Sequence, residues 1–96
     1  MDNVKLKLNR LNEGRLYLDE GSRQVAEMII SVAGSDMTVY HTEVSPEFEG
    51  KGLAKKLFDA MVDYARQHSL KVISLCPFAS AMFKRHPNEY ADIWKK

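Results

Sequence analysis

The chain contains one cysteine, one tryptophan and three prolines in 96 residues, and neither sign of charge prevails. One cysteine closes no internal disulfide, which excludes a disulfide-stapled scaffold and makes a reducing cytoplasm the expected setting. Fourteen Lys and Arg against thirteen Asp and Glu leave a formal net charge of +1. That balance supplies no basic field for nucleic acid and no acidic tail. No apolar run approaches the ~20 residues of a membrane span. The opening Met1-Asp2-Asn3-Val4 lacks a signal-peptide pattern. Three scattered histidines and a lone cysteine lack the spacing of zinc ligands, so no metal is expected. What remains is ordinary for a globular protein: 45% hydrophobic and 28% charged residues. The length predicts a single domain over residues 1–96, monomeric, burying somewhat over ~60% of its unfolded surface.

Read in order, Val4, Leu6 and Leu8 alternate with polar residues, as in a half-exposed strand. Asn12-Glu13-Gly14 signals a turn, and Leu16 and Leu18 mark a second strand. Residues 25–32 form a third, with Met28 and Ile30 on one face. Gly34-Ser35-Asp36 reads as a tight hairpin into a fourth strand over 37–44. Leu53, Leu57, Phe58, Met61, Tyr64, Ala65 and His68 then recur at three- and four-residue steps, which predicts one amphipathic helix over 52–69. Residues 71–75 read as a fifth strand ended by Pro77. Residues 79–85 read as a short helix with Phe78, Met82 and Phe83 facing inward, and Tyr90, Ile93 and Trp94 should pack the tail onto the core. Strand, helix, strand is a crossover unit, so the fourth and fifth strands should be parallel. The expected fold is α/β with a mixed sheet: a four-stranded antiparallel meander, a long helix, a parallel fifth strand and a short C-terminal helix.

The strand-to-helix junction carries Glu49-Gly50-Lys51-Gly52-Leu53-Ala54. Two glycines at a helix start let a ligand approach the backbone and leave N–H groups pointing outward. Those groups, with the helix dipole, favour an anion such as a pyrophosphate, and Lys51, Lys55 and Lys56 add positive charge. A P-loop is excluded because Gly52 rather than Ser or Thr follows Lys51. A dinucleotide fingerprint is excluded because Lys55 stands where a third glycine is needed. On these residues alone, a plain turn remains the competing reading.

The same run resembles the acyl-CoA-binding motif of the GNAT acetyltransferases, Gln/Arg-x-x-Gly-x-Gly/Ala. Gly52 and Ala54 match its fourth and sixth positions, and Glu49 departs from its first. His41-Thr42-Glu43-Val44, Cys76-Pro77-Phe78 and Arg85-His86-Pro87 are similar to one compact, single-domain branch, and the resemblance extends over about residues 4–94. It implies an N-acetyltransferase that takes acetyl-CoA as donor and an amine of a small molecule, peptide or protein as acceptor. It implies that the fourth and fifth strands splay, with the pantetheine arm pairing with the backbone near Val44. The pyrophosphate would then rest on Gly50, Lys51, Gly52, Leu53, Ala54 and Lys55. It also implies that the second helix, with Phe83 and Lys84, runs along the cofactor.

His41 and Cys76 each lie near the carboxyl end of a strand flanking that splay, and they are the candidate catalytic residues. A histidine takes a proton from an amine or thiol near neutral pH, and a thiolate can accept an acyl group. Two routes stay open: acetyl carried on Cys76, or direct attack by the amine with His41 as base. Packing roles for both residues stay open too. Glu43 and Glu47 are alternative bases. Many GNAT enzymes use a tyrosine in the second helix as general acid, and none occurs between Tyr64 and Tyr90. The alternative function is a module that binds CoA or acyl-CoA with little catalysis.

Overall fold

The computed structural model describes residues 3–96; Met1 and Asp2, half of the signal-peptide reading, lie outside the described residues. Five strands, β1 (Lys5–Leu8), β2 (Glu13–Glu20), β3 (Arg23–Ala33), β4 (Asp36–Val44) and β5 (Lys71–Ser74), form one sheet in sequence order. The first four pair antiparallel, and β4 pairs with β5 in parallel. Helix α1 (Leu53–Gln67) is the crossover, and α2 (Pro77–Arg85) follows β5. The expected mixed sheet, meander and two helices are all present.

Why these residues form these elements is mostly a matter of period. Leu16, Leu18, Met28, Ile30, Met37 and Val39 alternate along their strands and are all buried. On α1, Leu53, Leu57, Phe58, Met61, Val62 and Ala65 are buried at helical spacing and close over that sheet face. Val62 belongs to this stripe. His68 lies past the helix end, exposed, with its ring 4.1 Å from that of Tyr64. Phe58, Phe83 and Tyr90 meet edge to face at 5.1–5.5 Å between centroids, joining both helices and the tail. The tail then returns to β5. The Val72 N–H donates to the Ile93 carbonyl (2.6 Å), and the Lys95 N–H donates to the Val72 carbonyl (2.9 Å). Arg66 on α1 forks onto Asp92 through Nε (2.9 Å) and a terminal nitrogen (3.2 Å).

Three local readings differ from expectation. The first turn spans residues 9–12, where the Asn9 side chain accepts the N–H groups of Leu11 (2.8 Å) and Glu13 (3.0 Å), and Asn12 takes φ 59°. Glu13 and Gly14 are therefore strand. Gly14 serves close approach, since a Cβ there would lie 1.8 Å from the Lys7 carbonyl oxygen. The second helix begins at Pro77 rather than Ala79, with Cys76 as its N-cap. Finally, β4 carries a bulge. Ile29 pairs with His41 and Ile30 with Val39, so Tyr40 is an extra residue. Strict alternation from Met37 and Val39 would turn His41 inward. The bulge instead leaves Tyr40, His41 and Glu43 exposed and turns Thr42 and Val44 toward the helices.

Candidate functional site

The site is built where β4 and β5 part. Their pairing runs from Asp36–Lys71 to Val39–Ser74, and one further bond joins the Leu75 N–H to the Val39 carbonyl (2.9 Å). Beyond that point β4 continues to Val44 while the chain after β5 turns into α2. The Ser45 N–H donates to the Val25 carbonyl (2.8 Å), continuing the β3–β4 ladder and fixing its phase. In antiparallel pairing, alternate residues direct their main-chain groups to the partner. His41 and Glu43 therefore bond β3, and Thr42 and Val44 present their N–H and C=O groups on the other side. There, among the described residues, no strand pairs with them. This is the divergence expected for an extended, amide-bearing ligand.

A short 3₁₀ turn (Pro46–Phe48) leads from β4 to the start of α1. Gly50 (φ 79°) and Gly52 (φ 77°) both take the left-handed conformation that favours glycine, and Gly52 is the N-cap. The first helical bond runs from the Lys56 N–H to the Gly52 carbonyl (3.1 Å). The N–H groups of Leu53, Ala54 and Lys55 thus precede the ladder. No side chain caps them, and the first turn holds no acidic residue. A Cβ on Gly50 or Gly52 would meet nothing within 4 Å, so the space above both glycines is open rather than filled by protein. An open cleft of about 360 Å³ follows, lined by Val44, Phe48, Glu49, Gly50, Gly52, Leu53 and Ala54. Its walls are backbone amides and apolar side chains, with the Glu49 carboxylate the one anionic group among them.

The lysines are not equivalent. Lys51 Nζ lies 5.4 Å from the centre of the Phe48 ring, on the cleft wall. Lys55 Nζ bonds Asp59 (2.9 Å), which raises its pKa above the ordinary lysine value and offsets part of its charge toward an anion. Lys84 is exposed on α2. Phe83, on the same helix, has no exposed surface and stacks on Trp94 at 5.4 Å, so its side chain packs in the core.

Of the two candidate catalytic side chains, Cys76 is 2% exposed and lies on the inner side of the divergence. His41 is on the outer side. Its ring is 59% exposed, with Nε2 3.9 Å from a Glu43 oxygen. No hydrogen bond joins His41 to Cys76 among the described residues. The side chain that meets Cys76 is Thr42, with Oγ1 3.3 Å from Sγ. The sequence reading missed Thr42 because it did not place the bulge. A signal was present: the apolar positions of β4 change parity, from Met37 and Val39 to Val44. Phe48 was missed as well, since a short 3₁₀ turn leaves no periodic trace. Among the described residues no group of three or more His, Cys, Asp or Glu side chains could hold a metal ion, and no helix is long and apolar enough to cross a membrane.

A mixed sheet that opens beside an uncapped, glycine-started helix is also the architecture that comparison with known proteins returns. The family model of the GCN5-related N-acetyltransferases matches residues 15–93. An NMR structure of a GCN5-like protein from Staphylococcus aureus, provisionally described as an N-acetyltransferase, is 32% identical. It aligns over 97% of this chain and 87% of that one with a TM-score of 0.72. The ribosomal-protein-alanine N-acetyltransferase of Brucella melitensis biovar Abortus 2308 shares the fold at 21% identity and TM-score 0.68, covering 81% of this chain and 62% of that one. The ribosomal-protein-S18-alanine N-acetyltransferase of Escherichia coli does so at 17% and 0.61, covering 66% and 41%. This chain thus spans less than two thirds of either longer enzyme. No curated protein matches it in sequence. The chain belongs to the GCN5-related N-acetyltransferase (GNAT) family.

Proposed function

We propose that this protein is an acetyl-CoA-dependent N-acetyltransferase acting on an amine of a small molecule, peptide or protein. The observation that carries the reading is the early end of the β4–β5 ladder at Val39 and Ser74, beside a helix start whose first N–H groups are uncapped. The two features supply what acetyl-CoA needs. The main chain of Thr42 and Val44 offers strand-like bonds to the amides of pantetheine. The amides of residues 50–55, with Lys51, offer donors to the pyrophosphate. The thioester then falls toward Cys76.

In the covalent route, Cys76 Sγ bonds the acetyl carbon and the carbon–sulfur bond to CoA breaks. CoA leaves as a thiol carrying the proton that Cys76 gives up. The amine then attacks the new thioester, the acetyl–Sγ bond breaks, Cys76 recovers a proton, and an amide forms. In the direct route the amine attacks acetyl-CoA itself. The outer position of His41 and Glu43 suits a base that meets an acceptor arriving from the exposed sheet face. The covalent route requires the opening beside β4 to bring the thioester to Cys76 Sγ, which is buried at 2% exposure.

Calorimetry with acetyl-CoA tests the binding, and intact-mass spectrometry after mixing tests for a 1:1 acetyl adduct on Cys76. An amine panel assayed with wild type and Cys76→Ala tests transfer. Absence of binding at millimolar acetyl-CoA would remove the proposal. Binding without turnover on any amine would leave a CoA-binding module instead.

A further inference from the structure

We propose that Thr42 is the positioning residue for Cys76, its hydroxyl holding the sulfur at the inner edge of the gap between β4 and β5. The inference rests on the reading above for its role in acetyl transfer, but its test does not.

Three observations converge. The bulge at Tyr40 turns Thr42 inward, where Oγ1 lies 3.3 Å from Sγ. The main chain of Cys76 is itself held: Ser74 Oγ donates to the Cys76 carbonyl (3.2 Å) and exchanges a bond with Ser80 Oγ (2.7 Å), while the Ser80 N–H donates to the same carbonyl (2.9 Å). The sulfur stands at the N-cap of α2 without making a side-chain cap bond, so the Thr42 hydroxyl is its polar partner among the described residues. The side chains bonded to Cys76 are thus Thr42 on β4 and Ser74 on β5, with the Ser80 hydroxyl on α2 held to Ser74, and none of the three is ionised near neutral pH.

A hydroxyl suits both states of a reacting thiol because it has one donor and two acceptor sites. While sulfur is protonated, S–H donates to Oγ1. Once it is a thiolate, the Oγ1–H donates to sulfur, a charge-assisted bond that favours the anion, as does the positive end of α2. The proton exchanges with solvent or the leaving CoA thiol, so Thr42 is left unchanged. The β-branch restricts χ1 and keeps the hydroxyl aimed.

The test is the pH profile of the Cys76 thiolate, followed by its ultraviolet absorbance with Cys76→Ala as baseline for the tyrosines. Thr42→Val keeps the shape and removes the hydroxyl; Thr42→Ser keeps the hydroxyl. Circular dichroism checks that each variant is folded. The expected result is a midpoint about one pH unit higher in Thr42→Val, tenfold less thiolate at fixed pH, with Thr42→Ser at the wild-type midpoint. A folded Thr42→Val with the wild-type midpoint would overturn the proposal. So would a wild-type thiol that does not ionise before the protein unfolds. Failure of wild-type protein to bind acetyl-CoA would instead count against the acetyltransferase reading and leave the Thr42 result standing.

Discussion

Replacing Gly52 with alanine separates the fold's need for this glycine from the ligand's. At φ 77° an alanine carries the left-handed penalty, about 1–2 kcal/mol. No steric term adds to it, because the new Cβ meets nothing within 4 Å. For a domain of this size ~1 kcal/mol lowers Tm by about 4–8 °C. Gly34 provides the control. Its φ is 60°, its Cβ would also meet nothing within 4 Å, and it sits in the β3–β4 hairpin, at the far end of β4 from the cleft. Gly34→Ala and Gly52→Ala should therefore lose similar stability in a thermal melt. Titration calorimetry with acetyl-CoA should then distinguish them. Gly34→Ala should bind like wild type. Gly52→Ala should lose about tenfold or more in affinity, since a methyl group over the N-cap holds the ligand away from amides that exert their field only at hydrogen-bond range. Equal affinity in the two variants would refute the assignment of the helix start as the pyrophosphate seat.

Glu49→Gln should tighten acetyl-CoA binding a few-fold, and the gain should shrink as salt is added, because a carboxylate on the cleft wall repels a diphosphate through screened solvent; calorimetry at two ionic strengths checks it. Phe83→Ala should cost about 3–5 kcal/mol in denaturant unfolding, as expected for a ring with no exposed surface stacked on Trp94; a loss under ~1 kcal/mol would contradict its core placement. Arg66 holds the Asp92 carboxylate below its ordinary value of 3.8. A depressed carboxylate contributes stability that is present above that value and is lost as pH falls through the lower, folded one. The Asp92→Asn variant should therefore melt slightly below wild type at neutral pH and converge with it in acid; the pair is exposed, so the effect is small. Parallel melting curves at every pH would count against this contribution.

Much of the architecture could be read directly because it rests on period. Apolar alternation marked the strands, the three- and four-residue steps marked α1, and Gly34-Ser35 marked a hairpin. The features that escaped are single residues without period. Nothing in Asn12-Glu13-Gly14 shows that the turn is made by the Asn9 side chain while Gly14 admits the Lys7 carbonyl. The Tyr40 bulge matters more for the site. Its one inserted residue exchanges the faces of His41 and Thr42, so the histidine singled out for its chemistry stands outside and its neighbour reaches Cys76. The glycines before α1 were legible by type, but the open space above them depends on Phe48 and Val44 standing aside, which is a tertiary matter.

The return of the tail to β5 also bears on how the protein behaves in a crowded solution. Strands with a bare flank invite another chain to continue the sheet. On one border the 93–95 segment already occupies the amide and carbonyl of Val72, with Arg66 clamping it at Asp92. On the other, β1 is four residues long and bears Lys5 and Lys7, whose charges discourage a neighbour. Both margins are thereby blunted against end-on growth into aggregates, while the inner stretch of β4 can stay unpaired because it is recessed between elements of the same molecule.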